Sequence, residues 1–294
     1  MAFIKNVFSR LKIHTQDRNK ILVTKYSYNK YSDNGNKRSF KFHDGAVDPD
    51  IQFHSNLGEE WWWSNENLLI HLNEVRIPFI INGIYNSHLI YGTSGNINNL
   101  KNINILDVGC GAGILSESLA RLEGNVVGLD PSTALINIAR KHAKYDFRLE
   151  KYLRYEATSI NDFAKSNVHK FDVVIASEVI EHISNKEKFL ENCLNCLKPQ
   201  GALFITTPNK TLMSKIFIVK LAERLGFVPI GTHNFDKFIT FEELKNLLTK
   251  LGCTIKQTQG MVYNPITQKF ILSYYNILMY AVYAQKISSF KHEL

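Results

Sequence analysis

Two carboxylates and an imidazole stand within five consecutive positions, at Glu178, Glu181 and His182, directly behind an apolar run that reads as a strand. If a helix starts after Ser177, the spacings put all three side chains on one face. Such a set can hold Mg²⁺ or Zn²⁺, and its preponderance of oxygen favours the harder ion, Mg²⁺. Such an ion would act as Lewis acid and template toward oxygens of a bound substrate. Two other uses of the same residues stay open. His182 can serve as a general base assisted by Glu181 without any metal, or Glu178 can simply favour a helix start through the helix dipole.

A second constellation lies upstream. Ile105-Leu-Asp-Val-Gly-Cys-Gly-Ala-Gly113 is a short apolar strand running into a glycine turn, and Val126-Val-Gly-Leu-Asp130 is a strand that ends in a carboxylate. Gly109, Gly111 and Gly113 let the backbone turn where side chains would strike a ligand, and Asp130 is placed to accept both hydroxyl hydrogens of a ribose. Position 114 is isoleucine, so the dinucleotide pattern G-x-G-x-x-G is absent. Asp107, beside the glycines, would repel a pyrophosphate and suits a cationic ligand. S-adenosylmethionine meets both conditions, with an ammonium, a sulfonium and no phosphate. Thr158, Ser159 and Ile160 follow the next strand, where an adenine would rest.

Only a parallel sheet brings these groups together, and the chain has the pattern for one. Strands are predicted over 103–108, 125–130, 154–158, 171–176 and 202–206, with helices over 114–123, 131–142 and 186–197 between them. A helix over 241–251 then precedes strands over 254–260 and 277–284, which have no helix between them. Seven strands in a mostly parallel, doubly wound α/β sheet is the layout of a class I S-adenosylmethionine-dependent methyltransferase. One methyltransferase domain over 45–294 is expected, with N-terminal helices over 60–90 and an insertion over 209–232, behind a basic segment over 1–44.

Charge is unevenly spread. The 294 residues carry a net +8, yet residues 1 to 44 hold ten Lys or Arg against three Asp or Glu, and the remaining 25 basic and 24 acidic residues give only +1. A nearly neutral folded part speaks against a nucleic-acid partner. The basic segment begins with Phe3, Ile4, Val7, Phe8 and Leu11 at helical spacing among Lys5, Arg10 and Lys12, the make-up of a mitochondrial presequence, with an uncleaved basic tail as the alternative. The final Lys291-His-Glu-Leu294 resembles a retrieval signal of the endoplasmic reticulum, but no apolar signal core accompanies it. Cys110, Cys193, Cys196 and Cys253 are too scattered for a disulfide framework, and the Cys193/Cys196 pair is read as core packing. Within the insertion, Leu212, Met213, Ile216, Phe217, Val219, Leu221 and Leu225 are interleaved with Lys210, Lys215, Lys220 and Arg224. That suits a helix lying in a lipid interface, or a core helix with one apolar face.

At this point four blocks match a known family. They are Ile105 to Ser118; Ser177-Glu-Val-Ile-Glu-His-Ile183; Gly231-Thr-His-Asn-Phe-Asp-Lys-Phe-Ile239; and Gly260-Met-Val-Tyr-Asn-Pro-Ile-Thr267. From about Glu60 to Lys286 the chain resembles the ubiquinone-biosynthesis O-methyltransferases. The resemblance implies methyl transfer from S-adenosylmethionine to a catechol-type hydroxyl of a polyprenylated ring. It implies that Gly109, Asp130 and Ser177 line the cofactor site, with Arg76 near the cofactor's carboxylate, a role that its planar fork suits. It implies that Glu178, Glu181 and His182 bind a divalent metal, taken as Mg²⁺, with Glu181 and His182 as the catalytic pair. Finally, it implies a peripheral place on the matrix side of the mitochondrial inner membrane, in contact with that membrane's surface, and assembly with other enzymes of ubiquinone biosynthesis. His233 reads as a substrate-loop residue or a structural one, and Tyr263 to Ile266 as a rigid turn that walls the ring pocket or merely packs.

Overall fold

The computed structural model describes residues 54–65, 67–87, 99–216 and 235–287. The basic segment, His233 and the greater part of the insertion, Phe217 to Leu225 included, lie outside the described residues. Five strands form the parallel part of the sheet: β1 (Asn104–Val108), β2 (Asn125–Asp130), β3 (Leu153–Ala157), β4 (Phe171–Ser177) and β5 (Leu197–Pro208). They pair in the order β3-β2-β1-β4-β5. β6 (Cys253–Asn264), β7 (Lys269–Ser273) and β8 (Met279–Lys286) complete it, β8 lying antiparallel between β5 and β6, and β7 lying at the outer edge.

The sheet therefore has eight strands, one more than the pattern predicts. The rigid turn at Tyr263 to Ile266 is the tip of the β6–β7 hairpin, where the Asn264 side chain accepts from the amides of Ile266 and Thr267 at 2.9 and 3.3 Å. β7 has five residues, of which only Phe270 and Ser273 are buried, too few to show a period without the partner strand.

Alternation along the strands feeds two apolar layers. Leu106, Val108, Val174, Ala176 and Leu203 face the helices over Lys186–Cys196 and Phe241–Lys250, whose Phe189, Cys193, Leu244 and Leu248 are buried against them. Ile105, Val173, Ile175 and Phe204 face the other way, onto Leu72, Phe79 and Ile80 of the long helix over Leu68–Asn86 and Leu115 and Leu119 of the helix over Ile114–Ala120. Each such Leu, Ile or Phe contributes about 1.5–3 kcal/mol by leaving water. All four cysteines are free and buried, and burial pushes Cys196 up to about 11 and Cys193 further, as packing thiols.

β1 connects onward toward β2 and β4 toward β5, so the chain leaves these neighbouring strands to opposite sides. A crevice must open past their carboxyl ends, the usual ligand position in such sheets. The glycine turn and the Glu178–His182 segment both lie at that crevice. No described helix is long and apolar enough to cross a membrane.

Candidate active site

A cavity of about 610 Å³ occupies the crevice and is lined by Arg76, Asp107, Gly109, Asp130, Ser177, Glu178, Glu181 and His182, among others. The site residues expected from the sequence thus share one chamber, of a size usual for small-molecule clefts. Thr158, Ser159 and Ile160 line it too.

On the β1–β2 side the backbone does the shaping. Gly109, Gly111 and Gly113 have φ of 72°, 54° and 89°, a region that side-chain-bearing residues avoid. A Cβ at Gly109 would lie 2.5 Å from Val179 Cγ2, and one at Gly113 would collide with the Tyr155 hydroxyl. These glycines make room for protein neighbours, and not only for a ligand as the motif suggests. Asp130 is buried at the end of β2, where burial raises its pKa. One of its oxygens accepts from the Gly111 amide at 3.1 Å and the other from the Ser132 amide at 2.8 Å. It braces the glycine turn against the start of the next helix, Thr133–Ala143, whose N-cap is Ser132. Each carboxylate oxygen keeps further lone pairs, enough for a diol.

Arg76 is buried on the helix over 68–86. It donates from Nη1 to Ser177 Oγ at 2.9 Å, from Nε to Asn73 Oδ1 at 2.5 Å and from Nη2 to the Leu69 carbonyl at 3.3 Å. Three of its five N–H groups are so used, leaving two for a ligand. Burial lowers its pKa to about 10, where it is still charged. Asp107, 2% exposed, accepts from Ser116 Oγ at 2.5 Å and is raised by burial to about 6.

The β4 side corrects one expectation. No α-helix follows Ser177. The Glu178 amide instead donates to the Thr206 carbonyl at 2.8 Å, extending the β4–β5 ladder by one residue, and Glu178 takes φ of 58°. A single 3₁₀ turn over Ile180–His182 comes next. The three side chains are therefore not on one helix face, and among the described residues no group of three or more His, Cys, Asp or Glu is gathered to hold a metal ion. Two threonines at the end of β5 hold the carboxylates: Thr206 Oγ1 donates to Glu178 Oε1 at 2.8 Å and Thr207 Oγ1 to Glu181 Oε2 at 2.9 Å. Glu181 is buried, and its Oε1 has no hydrogen-bond partner. Burial, then the neighbouring Glu178, hold its carboxyl well above the ordinary range.

Sequence reasoning missed Thr206, Thr207 and a roof over the cavity. The threonines stand at the carboxyl end of a parallel strand, a position that marks ligand sites in such sheets, and that signal was available. The roof is made by residues 54–63: His54, Trp61 and Trp62 line the cavity, and the His54 ring meets that of His182 edge to face, 5.2 Å between centroids. Ser55 bonds Ser132 at 2.6 Å and Trp63 stacks on His142 at 3.4 Å, so the roof rests on the helix over 133–143.

A family model described as a methyltransferase domain matches residues 86–258. The chain is 37% identical over 239 residues to the mitochondrial ubiquinone biosynthesis O-methyltransferase of Rattus norvegicus, which covers 80% of this chain and 68% of the rat protein. It is 35% identical over 218 residues to the ubiquinone biosynthesis O-methyltransferase of Pelagibacter ubique (strain HTCC1062), over 73% of this chain and 88% of that one. The matches span 61% to 68% of the length of the mammalian relatives. Among solved structures the fold is similar to that of the magnesium protoporphyrin IX methyltransferase from Synechocystis PCC 6803, with a TM-score of 0.52 at 17% identity, over 83% of this chain and 90% of that one.

Proposed function

The chain belongs to the ubiquinone biosynthesis O-methyltransferases, S-adenosylmethionine-dependent enzymes, and from that premise we propose that it methylates one hydroxyl of a catechol-type ring bearing a polyprenyl tail. One observation carries the reading: a single cavity gathers a diol-binding carboxylate, a buried arginine with two unused N–H groups, and a pair of carboxylates beside an imidazole. Asp130 takes the cofactor's ribose hydroxyls, Arg76 its carboxylate, and Asp107 lies on the side of its ammonium. The phenolic oxygen forms a bond to the methyl carbon as the bond from that carbon to sulfur breaks, leaving S-adenosylhomocysteine and releasing the phenolic proton. Alignment of oxygen, carbon and sulfur is the protein's main task.

The phenol has a reference pKa of about 10 and must lose its proton to attack. The donor set fits a hard cation: Glu181 carries a buried oxygen with no partner beside a second carboxylate, a charge arrangement that a cation would compensate. Glu178, Glu181 and His182 would hold it, and when bound it supplies Lewis acidity at the catechol oxygens. The ungathered state of the three side chains favours a second reading, in which His182 accepts the phenolic proton with Glu181 behind it. Methyl transfer to a water-soluble catechol, measured after dialysis against a chelator and after Mg²⁺ is restored, separates the two. Loss and recovery of activity is expected; full activity without divalent metal leaves His182 as the base.

The tail sets the location. Leu212 is 72% exposed and Ile216 is also exposed, beside Lys215 at the start of the insertion. Thr211 Oγ1 bonds the Ile277 carbonyl at 2.6 Å, which brings this start next to the loop that carries exposed Tyr274 and Tyr275. Apolar and aromatic side chains with lysines suit an anionic lipid surface. The protein accordingly works as a peripheral enzyme on the matrix side of the mitochondrial inner membrane, alongside other enzymes that act on the same tailed ring. Flotation with anionic liposomes tests this, and equal flotation of a variant with Leu212→Glu and Ile216→Glu counts against it.

A further inference from the structure

The two halves of the cavity are joined by a line of hydrogen bonds with one possible direction. A guanidinium only donates, so Ser177 Oγ accepts from Arg76 Nη1 at 2.9 Å. Thr206 has one hydroxyl hydrogen, and it goes to Glu178 Oε1 at 2.8 Å. The 2.6 Å bond between the hydroxyls of Ser177 and Thr206 must then run from Ser177 to Thr206. Every link points from the cation to the carboxylate, the arrangement in which each bond polarises the next. Arg76, Ser177 and Thr206 are all buried.

Resting on the proposed methyl transfer, we infer that Thr206 is a positioning residue that makes the cofactor subsite and the acceptor subsite interdependent. The hydrogen-bond line is held at one end by Arg76 and at the other by Glu178. Glu178 has a left-handed backbone, strained for a residue with a side chain, and the Thr206 hydroxyl helps fix its carboxylate. A carboxylate ligand on Arg76 alters the charge at the head of the line, and the change reaches Glu178 through two hydroxyls that cannot reverse. Binding at one subsite therefore changes affinity at the other, and by linkage the effect is reciprocal.

Calorimetry of a water-soluble catechol against the full chain, with and without saturating S-adenosylhomocysteine, reads this coupling without turnover. The wild-type chain is expected to show a ratio of catechol affinities of roughly 5-fold or more. Thr206→Val, which keeps the branched shape and removes the hydroxyl, should bring the ratio close to one, and Thr206→Ser should restore it. Should Thr206→Val melt below the working temperature, Ser177→Ala cuts the same line one link earlier and is expected to give the same result. A ratio near one in the wild type, or a wild-type ratio in Thr206→Val, overturns the inference. Failure to methylate any catechol overturns the functional reading and this inference with it, whereas methylation with unchanged coupling overturns this inference alone.

Discussion

The cofactor half and the acceptor half of the cavity are built from different materials. On the β1–β2 side the shape is backbone: three glycines at positive φ and two amides that grip Asp130. On the β4–β5 side the shape is side chain: hydroxyls of Thr206 and Thr207 hold Glu178 and Glu181 from the neighbouring strand. Backbone geometry is dictated by a local run of residue types. Side-chain clamps depend on which strand lies next door. The first half is hence set by a local run of sequence, while the second is set by the pairing of β4 with β5.

The largest effect should come from breaking the backbone half. Gly113→Ala forces a Cβ into a left-handed residue and against the Tyr155 hydroxyl, and should cost about 3 kcal/mol of stability by chemical denaturation; a neutral result would mean that the turn relaxes freely. Next comes Asp130→Ala, expected to weaken S-adenosylhomocysteine binding by about 2 to 3 kcal/mol in calorimetry, because both ribose hydroxyls and the Gly111 amide lose a charged acceptor. Unchanged affinity in the folded variant would reduce Asp130 to a brace for the turn.

The acceptor half should break differently. Thr207→Val leaves Glu181 Oε2 without its donor and should lower kcat by roughly tenfold, about 1.4 kcal/mol, while cofactor affinity stays within about twofold. Equal losses in both would erase the division between the halves.

A smaller effect depends on pH. Burial raises Asp107 to about 6 from an ordinary 3.8, so between those values the folded chain keeps a proton that the unfolded chain gives up. That contribution to stability is present below about pH 4 and lost as pH rises through about 6. Asp107→Asn removes the dependence, and its stability relative to wild type should improve by roughly 1 kcal/mol or more from about pH 4.5 to about pH 7.5. A pH-independent difference in urea unfolding would show that Asp107 is not the titrating group.

Legibility followed the same division. β2 lies over Asn125–Asp130 as the pattern predicts, and Arg76, Gly109, Asp130 and Ser177, which the family resemblance groups together, line one chamber. The segment after Ser177 misled because its three-and-four spacing is equally that of a helix, whereas a non-local bond from the Glu178 amide to the Thr206 carbonyl and a left-handed Glu178 turn the chain away from one. Thr206 and Thr207 carried only the sign of ending a parallel strand; which carboxylates they hold comes from the register of β5 against β4, in which Ser177 pairs with Thr206. β5 itself starts five residues before the predicted 202, running through Pro199 where the pairing with β4 shifts register.

Methyl transfer to a catechol oxygen is read out by following a deuterated methyl group from S-adenosylmethionine to a water-soluble catechol, with the product resolved by mass and by NMR. The expected product is a methyl ether on one of the two adjacent hydroxyls, formed one for one with S-adenosylhomocysteine and lost in Glu181→Gln while that variant still binds S-adenosylhomocysteine. A folded, cofactor-binding protein that leaves the catechol unmethylated, or that puts the label on ring carbon, would contradict it.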